Sequence, residues 1–429
     1  MRILKLTEDT RKDILQNLLK RSPNNYGEFE GRVNAIIEEV RNNRDQAVFN
    51  YTKQFDGADI NAGNILVTEE EIAEAYEQVD TTLLAVIRKS LVNIKKYHEK
   101  QVQNSWFTTE DGIILGQKVT ALATVGVYVP GGKAVYPSSV LMNVLPAKVA
   151  GVDRIVMCTP PGKDGKVYPS TLVAAKEAGV DEIYKVGGAQ AIAAMAFGTE
   201  SVPKVDKIVG PGNIYVALAK KAVFGYVSID SIAGPSEILV LADETANPRY
   251  VAADLLSQAE HDEMASAILI TTSQKLAEEV SAEIDQFVAE LSRKEIIQKS
   301  LDQYGYILVA KDDAEAIQTA NEIASEHLEI VMKNPYEVMT KIRNAGAIFL
   351  GEYSSEPLGD YFAGPNHVLP TNGTAKFFSP LSVDDFIKKS SIISYSKEAL
   401  EPVYKDIVQF AECEQLTAHA NSIKVRFED

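Results

Sequence analysis

Cysteine is nearly absent from the sequence, since the 429 residues include only Cys158 and Cys413. The two lie far apart and in no metal-binding spacing, so a disulfide framework and a zinc cluster held by thiolates are both excluded. Cys158 adjoins an apolar run, which predicts a small, buried hydrophobic residue.

An excess of positive charge and long apolar stretches are missing as well. The formal net charge is -17 at pH 7, which argues against nucleic-acid and anionic-membrane partners, because both bind through surplus Lys and Arg. No apolar run is long enough to cross a bilayer, and the amino-terminal residues become charged too early for a signal peptide. We therefore expect a cytoplasmic protein with no nucleic-acid or membrane partner.

The remaining composition is ordinary for a globular protein. Hydrophobic residues make up 45% of the chain and charged residues 24%, and the length suits about two to three domains. Amphipathic helical patterns occupy residues 11–19, 29–55 and 69–97. This N-terminal part predicts a scaffold, and the charged run around His98 predicts that this histidine lies at the surface.

Strand-like and helix-like patterns alternate after residue 125. Strand-like runs begin at Val152, Val180 and Val205 and recur at 237–241, 266–271, 306–309, 328–332 and 347–350. Helical segments lie between them, including one capped by Asn247 with Pro248 at its first position. The alternation predicts an α/β fold with two Rossmann-like lobes built on parallel sheets. Beyond residue 380 it stops, and 383–388 and 400–411 predict helices too small to form a core of their own.

Glu326 and His327 are adjacent in a chain with only five histidines. A glutamate can activate water and an imidazole can move a proton near neutral pH, so the pair could serve two successive steps at one centre. The alternative is structural. Asp312 could cap a helix whose apolar face continues to His327, which would then be a buried core histidine.

Further histidines are accompanied by a carboxylate or an amide. The groups are Gln258 with His261, Asp360 with His367, and Glu414 with His419. A spacing of three on a predicted helix places the first pair on one face. Together these groups favour a single assembled centre, and imidazole, carboxylate and amide-oxygen ligands would suit zinc.

Two glycine-rich turns, at residues 187–190 and 210–213, follow strand-like runs and open helices. Such turns bring backbone amides close to a phosphate, so a dinucleotide could lie there. The chain has no GxGxxG motif, and similar turns occur in α/β folds that bind no nucleotide. Both interpretations stay open on the turns alone.

Long collinear motifs resemble the histidinol dehydrogenase family. They are VGVYVPGGKAVYPSSVLMNVLPAKVAGV (125–152), VGGAQAIAAMAFGT (186–199), KIVGPGNIYV (207–216), AGPSEILVLAD (233–243), LLSQAEHD (255–262), ASEHLEIV (324–331) and GDYFAGPNHVLPT (359–371). The tail around His419 is similar too.

The resemblance implies an NAD-linked oxidoreductase with one zinc per subunit, which converts L-histidinol through L-histidinal to L-histidine in the last steps of histidine biosynthesis. It implies His327 as the general base and Glu326 as the group that activates water, while zinc holds the substrate. The implied zinc ligands are Gln258, His261, Asp360 and His419. The implied substrate contacts are Ser236, Gln258, His261, His327, Asp360, His367, Glu414 and His419. The implied NAD contacts are Tyr128, Gln190 and Asn213.

A homodimer is also implied, in which the C-terminal tail crosses over so that Glu414 and His419 complete the partner subunit's site. We divide the chain into an N-terminal helical segment (1–24), a first α/β lobe with most catalytic and zinc residues (25–129 and 237–380), a second α/β lobe on the NAD side (130–236) and the tail (381–429). Gln415 departs from the family, which often has Gly there, so a positive φ at this position would be strained. The segment before Val125 also lacks the Pro and Arg that many members carry.

Two other classes of function remain as alternatives. A zinc hydrolase would use the same types of ligand, but the chain has no HExxH motif, and the glycine-rich strand ends would lack a ligand. A non-catalytic relative is disfavoured because every proposed acid–base and metal group is present.

Overall fold

The computed structural model describes residues 1–21, 27–131 and 135–428. The chain forms two compact units. The first unit comprises Met1–Gln101 and Leu122–Phe386, and the second comprises Val102–Ala121 and Ile387–Asp429. The predicted boundary between residues 24 and 25 lies outside the described residues.

Strands and helices are numbered along the chain. The strands are β1 (Arg2–Lys5), β2 (Trp106–Glu110), β3 (Ile113–Ala121), β4 (Thr124–Tyr128), β5 (Arg154–Thr159), β6 (Glu182–Lys185), β7 (Lys207–Val209), β8 (Ser228–Ile229), β9 (Glu237–Ala242), β10 (Ser266–Thr271), β11 (Gly305–Val309), β12 (His327–Val331), β13 (Ala347–Leu350) and β14 (Ile387–Tyr395). The α-helices are α1 (Glu8–Leu19), α2 (Gly27–Asp56), α3 (Glu69–Gln78), α4 (Thr81–His98), α5 (Pro137–Ala150), α6 (Pro169–Ala178), α7 (Gly188–Phe197), α8 (Ile214–Val223), α9 (Pro248–Ala259), α10 (Gln274–Glu290), α11 (Lys294–Tyr304), α12 (Asp313–Ile323), α13 (Pro335–Met339), α14 (Glu356–Leu358), α15 (Lys397–Leu400), α16 (Tyr404–Cys413) and α17 (Thr417–Lys424).

Two parallel sheets organise the first unit, which confirms the predicted α/β fold. The six-stranded sheet has the order β1-β11-β10-β9-β12-β13, and the five-stranded sheet has the order β6-β5-β4-β7-β8. Apart from the added edge strand β1, each sheet follows the order 3-2-1-4-5 of its own strands along the chain. That order is the doubly wound arrangement of Rossmann-like folds, in which the direction of winding reverses beside the first strand.

The inner strands of both sheets are buried on both faces, as expected for parallel sheets covered by helices. Every residue of β9 and of β10 is buried. The helix α9 begins as predicted, with the Asn247 side chain accepting a hydrogen bond from the Arg249 amide at 3.0 Å and Pro248 in the first position. Cys158 is buried in β5, as its apolar surroundings predict.

The N-terminal part of the first unit serves both sheets. The segment predicted as helical opens with β1, which extends the six-stranded sheet beside β11, and continues into α1. Helices α2 to α4 pack into cores shared with the five-stranded sheet and its helices. His98, at the end of α4, is fully buried and pairs through Nδ1 with the Ile94 carbonyl at 2.8 Å. The prediction of a surface histidine was therefore wrong, because the helix turns this residue inward from its charged neighbours.

The second unit is built on an antiparallel sheet of order β14-β3-β2, followed by α15, α16 and α17. A helix was predicted at 383–388, but the structure has a short 3-10 turn at Val383–Phe386 and then the nine-residue strand β14. Gln415 lies between α16 and α17 with φ of 63°. This is the left-handed conformation that favours glycine, so the strain expected for a positive φ at this position applies. Within the described residues, no helix combines the length and apolar character needed to cross a membrane.

Candidate active site

The Glu326–His327 pair lies where α12 gives way to β12. Helix α12 is capped by Asp312, whose side chain accepts from the Glu315 amide at 2.8 Å, and it ends at Ile323. Ala324 then adopts a left-handed conformation with φ of 53°, and His327 begins the strand. The apolar helix face therefore stops before His327, and the interpretation of this residue as a continuation of that face was wrong.

The backbone of one residue, Glu237 at the start of β9, holds both members of the pair. Its amide donates to Glu326 Oε2 at 2.9 Å, and its carbonyl lies 2.9 Å from His327 Nδ1. A carbonyl only accepts, so Nδ1 carries the proton and Nε2 of a neutral ring is left to act as a base. Nε2 is buried, has no hydrogen-bond partner and lies 3.8 Å from Asp360 Oδ1.

Gln258 and His261 lie at the end of α9. Gln258 lies in the last turn of the helix and is buried, while His261 follows the helix end and is exposed. The amide of His261 donates to the Gln258 carbonyl at 3.2 Å, so the helical spacing persists through this turn. The side-chain oxygen of Gln258 is buried without a hydrogen-bond partner. An orphaned amide oxygen of this kind is costly unless a ligand binds it.

Asp360 and His367 come together in the loop after α14. Asp360 lies in a π-helical segment, Gly359–Ala363, and its Oδ1 is 3.9 Å from His367 Nδ1. His367 Nδ1 also donates to the Asp360 carbonyl at 3.1 Å. Burial opposes the charge on Asp360, but the nearby imidazoles of His327 and His367 outweigh it and hold the pKa of Asp360 at about 2. Its carboxylate is therefore ionised at neutral pH.

Burial and mutual charge set the protonation of the central pair. Burial raises the pKa of Glu326 to about 8, although His327 and the Glu237 amide act in the opposite direction. Burial opposes charge on His327 too, but Glu326, Asp360 and Glu356 outweigh it and raise the pKa of His327 to about 10. Because the two groups interact, these values describe a joint titration of the pair. A cation bound beside them would favour the deprotonated forms of both.

Glu356, the first residue of α14, belongs to the centre but was not predicted. Single ligand atoms of His327, Glu356 and Asp360 lie within 4.8 Å of one another. Glu356 Oε2 accepts from the Ser257 hydroxyl at 3.0 Å, and burial raises the pKa of Glu356 to about 7. Its position four residues before Asp360 was the available signal, because that spacing places two carboxyl groups on one side of a helical turn.

A second buried acid supports this segment. Glu329, two residues after His327 in β12, accepts from the Glu356 amide at 2.8 Å. Burial and the neighbouring carboxyl of Asp254 raise its pKa well above the ordinary value. The α14 segment is thus fixed to the same strand that carries His327.

Three of these side chains, those of His327, Asp360 and His367, border a cavity of about 600 Å³, whose lining also includes Tyr97 and Phe349. The volume is in the range of small-molecule sites, and the mixture of aromatic walls with a few charged groups is typical of them. An imidazole base and an ionised carboxylate therefore face a space that a small polar substrate can enter.

The predicted dinucleotide residues lie at the five-stranded sheet. Tyr128 ends β4, and its hydroxyl accepts from the Gly188 amide at 3.1 Å. Gln190, in the first turn of α7, is buried and neither of its side-chain polar atoms has a hydrogen-bond partner. Asn213 is exposed and caps α8 by accepting from the Tyr215 amide at 3.0 Å. All three stand at the carboxyl edge of the strands: Tyr128 and Asn213 follow β4 and β7, between which the winding reverses, and Gln190 follows β6.

The acid–base centre lies at the amino edge of its sheet and not at the carboxyl edge. Glu237 and His327 are the first residues of β9 and β12, so the centre lies at the amino edge of the six-stranded sheet. Ser236 precedes β9 at the same edge, and its carbonyl accepts from the Ser266 amide at 3.0 Å. Ligands in doubly wound folds usually bind at the carboxyl edge, so fold class alone would have misplaced this centre.

Glu414 and His419 belong to the second unit. Glu414 follows α16, His419 lies in α17, and both side chains are exposed. Their predicted roles in substrate and zinc binding stay predictions.

Known proteins are similar to this chain over nearly its whole length. The sequence model of a family described as histidinol dehydrogenase matches residues 19–427. The histidinol dehydrogenase of Caldanaerobacter subterraneus subsp. tengcongensis is 59% identical over 421 residues, covering 98% of each chain. That of Bacillus subtilis is 60% identical over 395 residues, covering 92% of each. The crystal structure of histidinol dehydrogenase from Elizabethkingia anophelis superposes with a TM-score of 0.93 at 39% identity, covering 100% of this chain and 98% of that one.

Proposed function

The chain belongs to the histidinol dehydrogenase family of histidine biosynthesis, and from this membership we propose that it oxidises L-histidinol through L-histidinal to L-histidine with NAD and zinc. The observation that carries the proposal is the convergence of the Glu326–His327 pair and the ionised Asp360 at a cavity that His327 and Asp360 line. A cytoplasmic location stays a prediction.

The donor set supports a zinc site held by Gln258, His261, Asp360 and His419. The orphaned oxygen of buried Gln258 and the ionised Asp360 are groups that a divalent cation would satisfy. When bound, zinc supplies a positive centre that holds and orients the substrate. The cluster of His327, Glu356 and Asp360 offers a competing set of ligand atoms, and the two sets share only Asp360. We favour the first set because it leaves His327 free as a base.

His327 serves the alcohol step in this proposal. With Nδ1 donating to the Glu237 carbonyl, Nε2 takes the proton of the substrate hydroxyl while hydride leaves the adjacent carbon. The proton then passes from the ring to solvent. Asp360 stabilises the charged ring, since the two groups lie 3.8 Å apart.

Glu326 serves the aldehyde step. Its carboxylate removes a proton from the water that adds to the aldehyde carbon, and the resulting gem-diol loses the second hydride with help from His327. The amide of Glu237 holds the carboxylate in one orientation during both steps. Because the oxidation removes four electrons in two hydrides, two equivalents of NAD are needed, each supplying a hydride acceptor when bound.

Three features of the five-stranded sheet support NAD binding there. Gln190 carries two unpartnered polar atoms in the first turn of α7, where helix amides face outward. Tyr128 fixes the Gly188 amide at that helix start. Gly210, with φ of 119°, allows a turn so tight that an added Cβ would lie 2.0 Å from the Tyr128 carbonyl oxygen. The backbone can thus approach a dinucleotide closely at the switch point.

The second unit supports a homodimer. Large apolar side chains remain exposed on it, including Trp106, Phe107, Ile393 and Phe410. Exposed apolar groups of this size commonly mark interfaces. In the proposed dimer the tail supplies Glu414 and His419 to the partner's centre.

The test is the yield of NADH from limiting L-histidinol with excess NAD and zinc. Two equivalents of NADH and one of L-histidine are expected. One equivalent with accumulated histidinal would remove Glu326 from its proposed role. No NADH in a zinc-loaded protein would favour a zinc hydrolase or a non-catalytic relative instead.

A further inference from the structure

We propose that Arg21, at the end of the N-terminal helical segment, is a positioning residue for the acid–base pair and acts through Glu237. This proposal rests on the proposed function, because it assigns a task within the same two oxidations. It joins the N-terminal segment, which the sequence identified only as scaffold, to the centre of the six-stranded sheet.

Arg21 and Glu237 form an ion pair inside the protein. Arg21 Nη2 binds Glu237 Oε1, and both side chains are almost completely buried. Arg21 Nη1 also donates to the Met264 carbonyl at 3.0 Å, and the guanidinium lies 5.2 Å from the centre of the Tyr304 ring. Two hydrogen bonds and an aromatic face therefore leave the guanidinium little freedom to move.

Glu237 passes this restraint to the centre. Its side chain is held by Arg21, while its own amide and carbonyl bind Glu326 and His327 at 2.9 Å each. The backbone orientation of one residue thus fixes the carboxylate that activates water and the tautomer of the imidazole. Displacement of the Glu237 backbone would misalign both groups at once, and a displacement of about 1 Å can lower a rate by about 10²-fold.

A buried ion pair is weak evidence for stability, because the cost of desolvating both charges offsets most of their attraction. The location of this pair is more informative. Arg21 binds the side chain of the residue whose backbone amide and carbonyl contact the two catalytic groups. Fixing the backbone of Glu237 is a function for which the ion pair is well placed.

The test compares three zinc-loaded full-length variants with the unaltered protein in separate assays of histidinol and histidinal oxidation. Arg21→Met leaves Glu237 charged and unpaired, so it is expected to lose stability as well as turnover. Glu237→Gln keeps an acceptor for Arg21 and is expected to lose at most about tenfold in kcat, since the hydrogen bond survives. The double variant Arg21→Met with Glu237→Gln contains no unpaired buried charge, and it isolates the loss of the restraint.

For the double variant we expect near-normal folding, kcat lowered by about 10²-fold in both half-reactions, and KM changed by less than about threefold. A folded double variant with the kcat of Glu237→Gln would overturn the proposal, because Arg21 would then contribute only stability. Arg11→Met is the matched control. Arg11 lies on α1, which ends just before Arg21, and pairs with Glu322 at 3.1 Å outside the centre, and its loss should leave both kcat values unchanged.

The unaltered protein separates failure of this inference from failure of the proposed function. If it produces no NADH from histidinol, the proposed function fails before any variant is compared. If it produces two equivalents and the variants behave as the control does, only the role of Arg21 is wrong.

Discussion

Replacing Glu326 with glutamine should separate the two oxidations. Glutamine has almost the same shape, and its side-chain oxygen can still accept from the Glu237 amide, now at 2.9 Å from Glu326 Oε2. The fold and the orientation of His327 should therefore persist. What disappears is a buried base whose pKa is raised to about 8.

The loss should fall on aldehyde oxidation. A positioned acid–base group contributes about 10²- to 10⁴-fold, which corresponds to about 2.7–5.4 kcal/mol of activation free energy. We expect histidinal oxidation by Glu326→Gln to fall within that range, while hydride release from histidinol stays within about tenfold because His327 is retained. Histidinal should accumulate.

Stopped-flow measurement of NADH with histidinol and with histidinal, each as the only substrate, gives the two rates. Glu322→Gln, on α12 and outside the centre, is the matched control for the change from carboxylate to amide. Equal losses in the two half-reactions would refute the division of labour. If Glu326→Gln kept the full rate of both half-reactions, another group would have to activate the water.

Four further tests address the base, the metal ligands, the pH dependence and the strain at Gln415. His327→Asn should slow histidinol oxidation by about 10²- to 10⁴-fold, measured by single-turnover formation of NADH; an unchanged rate would require another base. His261→Asn should lower the zinc content measured by atomic absorption, whereas Glu356→Gln should keep it; the reverse result would favour the cluster of His327, Glu356 and Asp360 as the metal site. Histidinal oxidation should rise with pH and level off only once both Glu326 and His327 have lost their protons, because burial raises the pKa of Glu326 to about 8 and, against burial, the neighbouring carboxylates raise that of His327 to about 10; bound zinc should move this rise to lower pH, and a rate that does not change between pH 5 and 10 would contradict it. Gln415→Gly should raise the free energy of unfolding by up to about 1 kcal/mol, because φ is 63° there, and urea denaturation that shows a lower stability would argue against strain.

Sequence predicted the repeated strands well because their pattern is local. The runs predicted at 266–271 and 347–350 coincide with β10 and β13, and Asn247 with Pro248 marks the start of α9. Buried parallel strands are nearly continuous apolar runs, and a cap followed by proline is a strong signal for the start of a helix. These features need no knowledge of distant contacts.

The errors arose where distant contacts decide the structure. His98 is surrounded in sequence by charge, but α4 buries its ring, where Asn366 lies 3.4 Å from its Nε2. In the sequence, the apolar helical periodicity that includes Ile323 continues to His327. In the structure, α12 ends before His327 because Ala324 adopts a left-handed conformation. The helix predicted at 383–388 runs into the start of β14, whose pairing with β3, a distant segment of the chain, local pattern does not reveal.

The sequence predicted the catalytic residues of the centre but not the groups that hold them in place. Motif resemblance identified Glu326, His327 and Asp360, which the fold brings together. It did not identify Glu356, for which the spacing of four residues from Asp360 was the available signal. It also did not identify the backbone of Glu237, because a backbone contact leaves no mark on residue type. Supports of this kind become visible only when strands β9 and β12 are seen side by side.

The central claim is that one centre at the amino edge of the six-stranded sheet holds zinc beside the acid–base pair. A crystal structure of the zinc-loaded protein with histidinol, with anomalous data collected at the zinc edge, tests it most directly. We predict one anomalous peak per subunit, about 2.0–2.2 Å from the Gln258 side-chain oxygen, a His261 ring nitrogen and an Asp360 carboxylate oxygen, with His419 of the partner subunit completing the shell. A peak bound instead by His327 and Glu356, or no peak at this edge, would contradict the account.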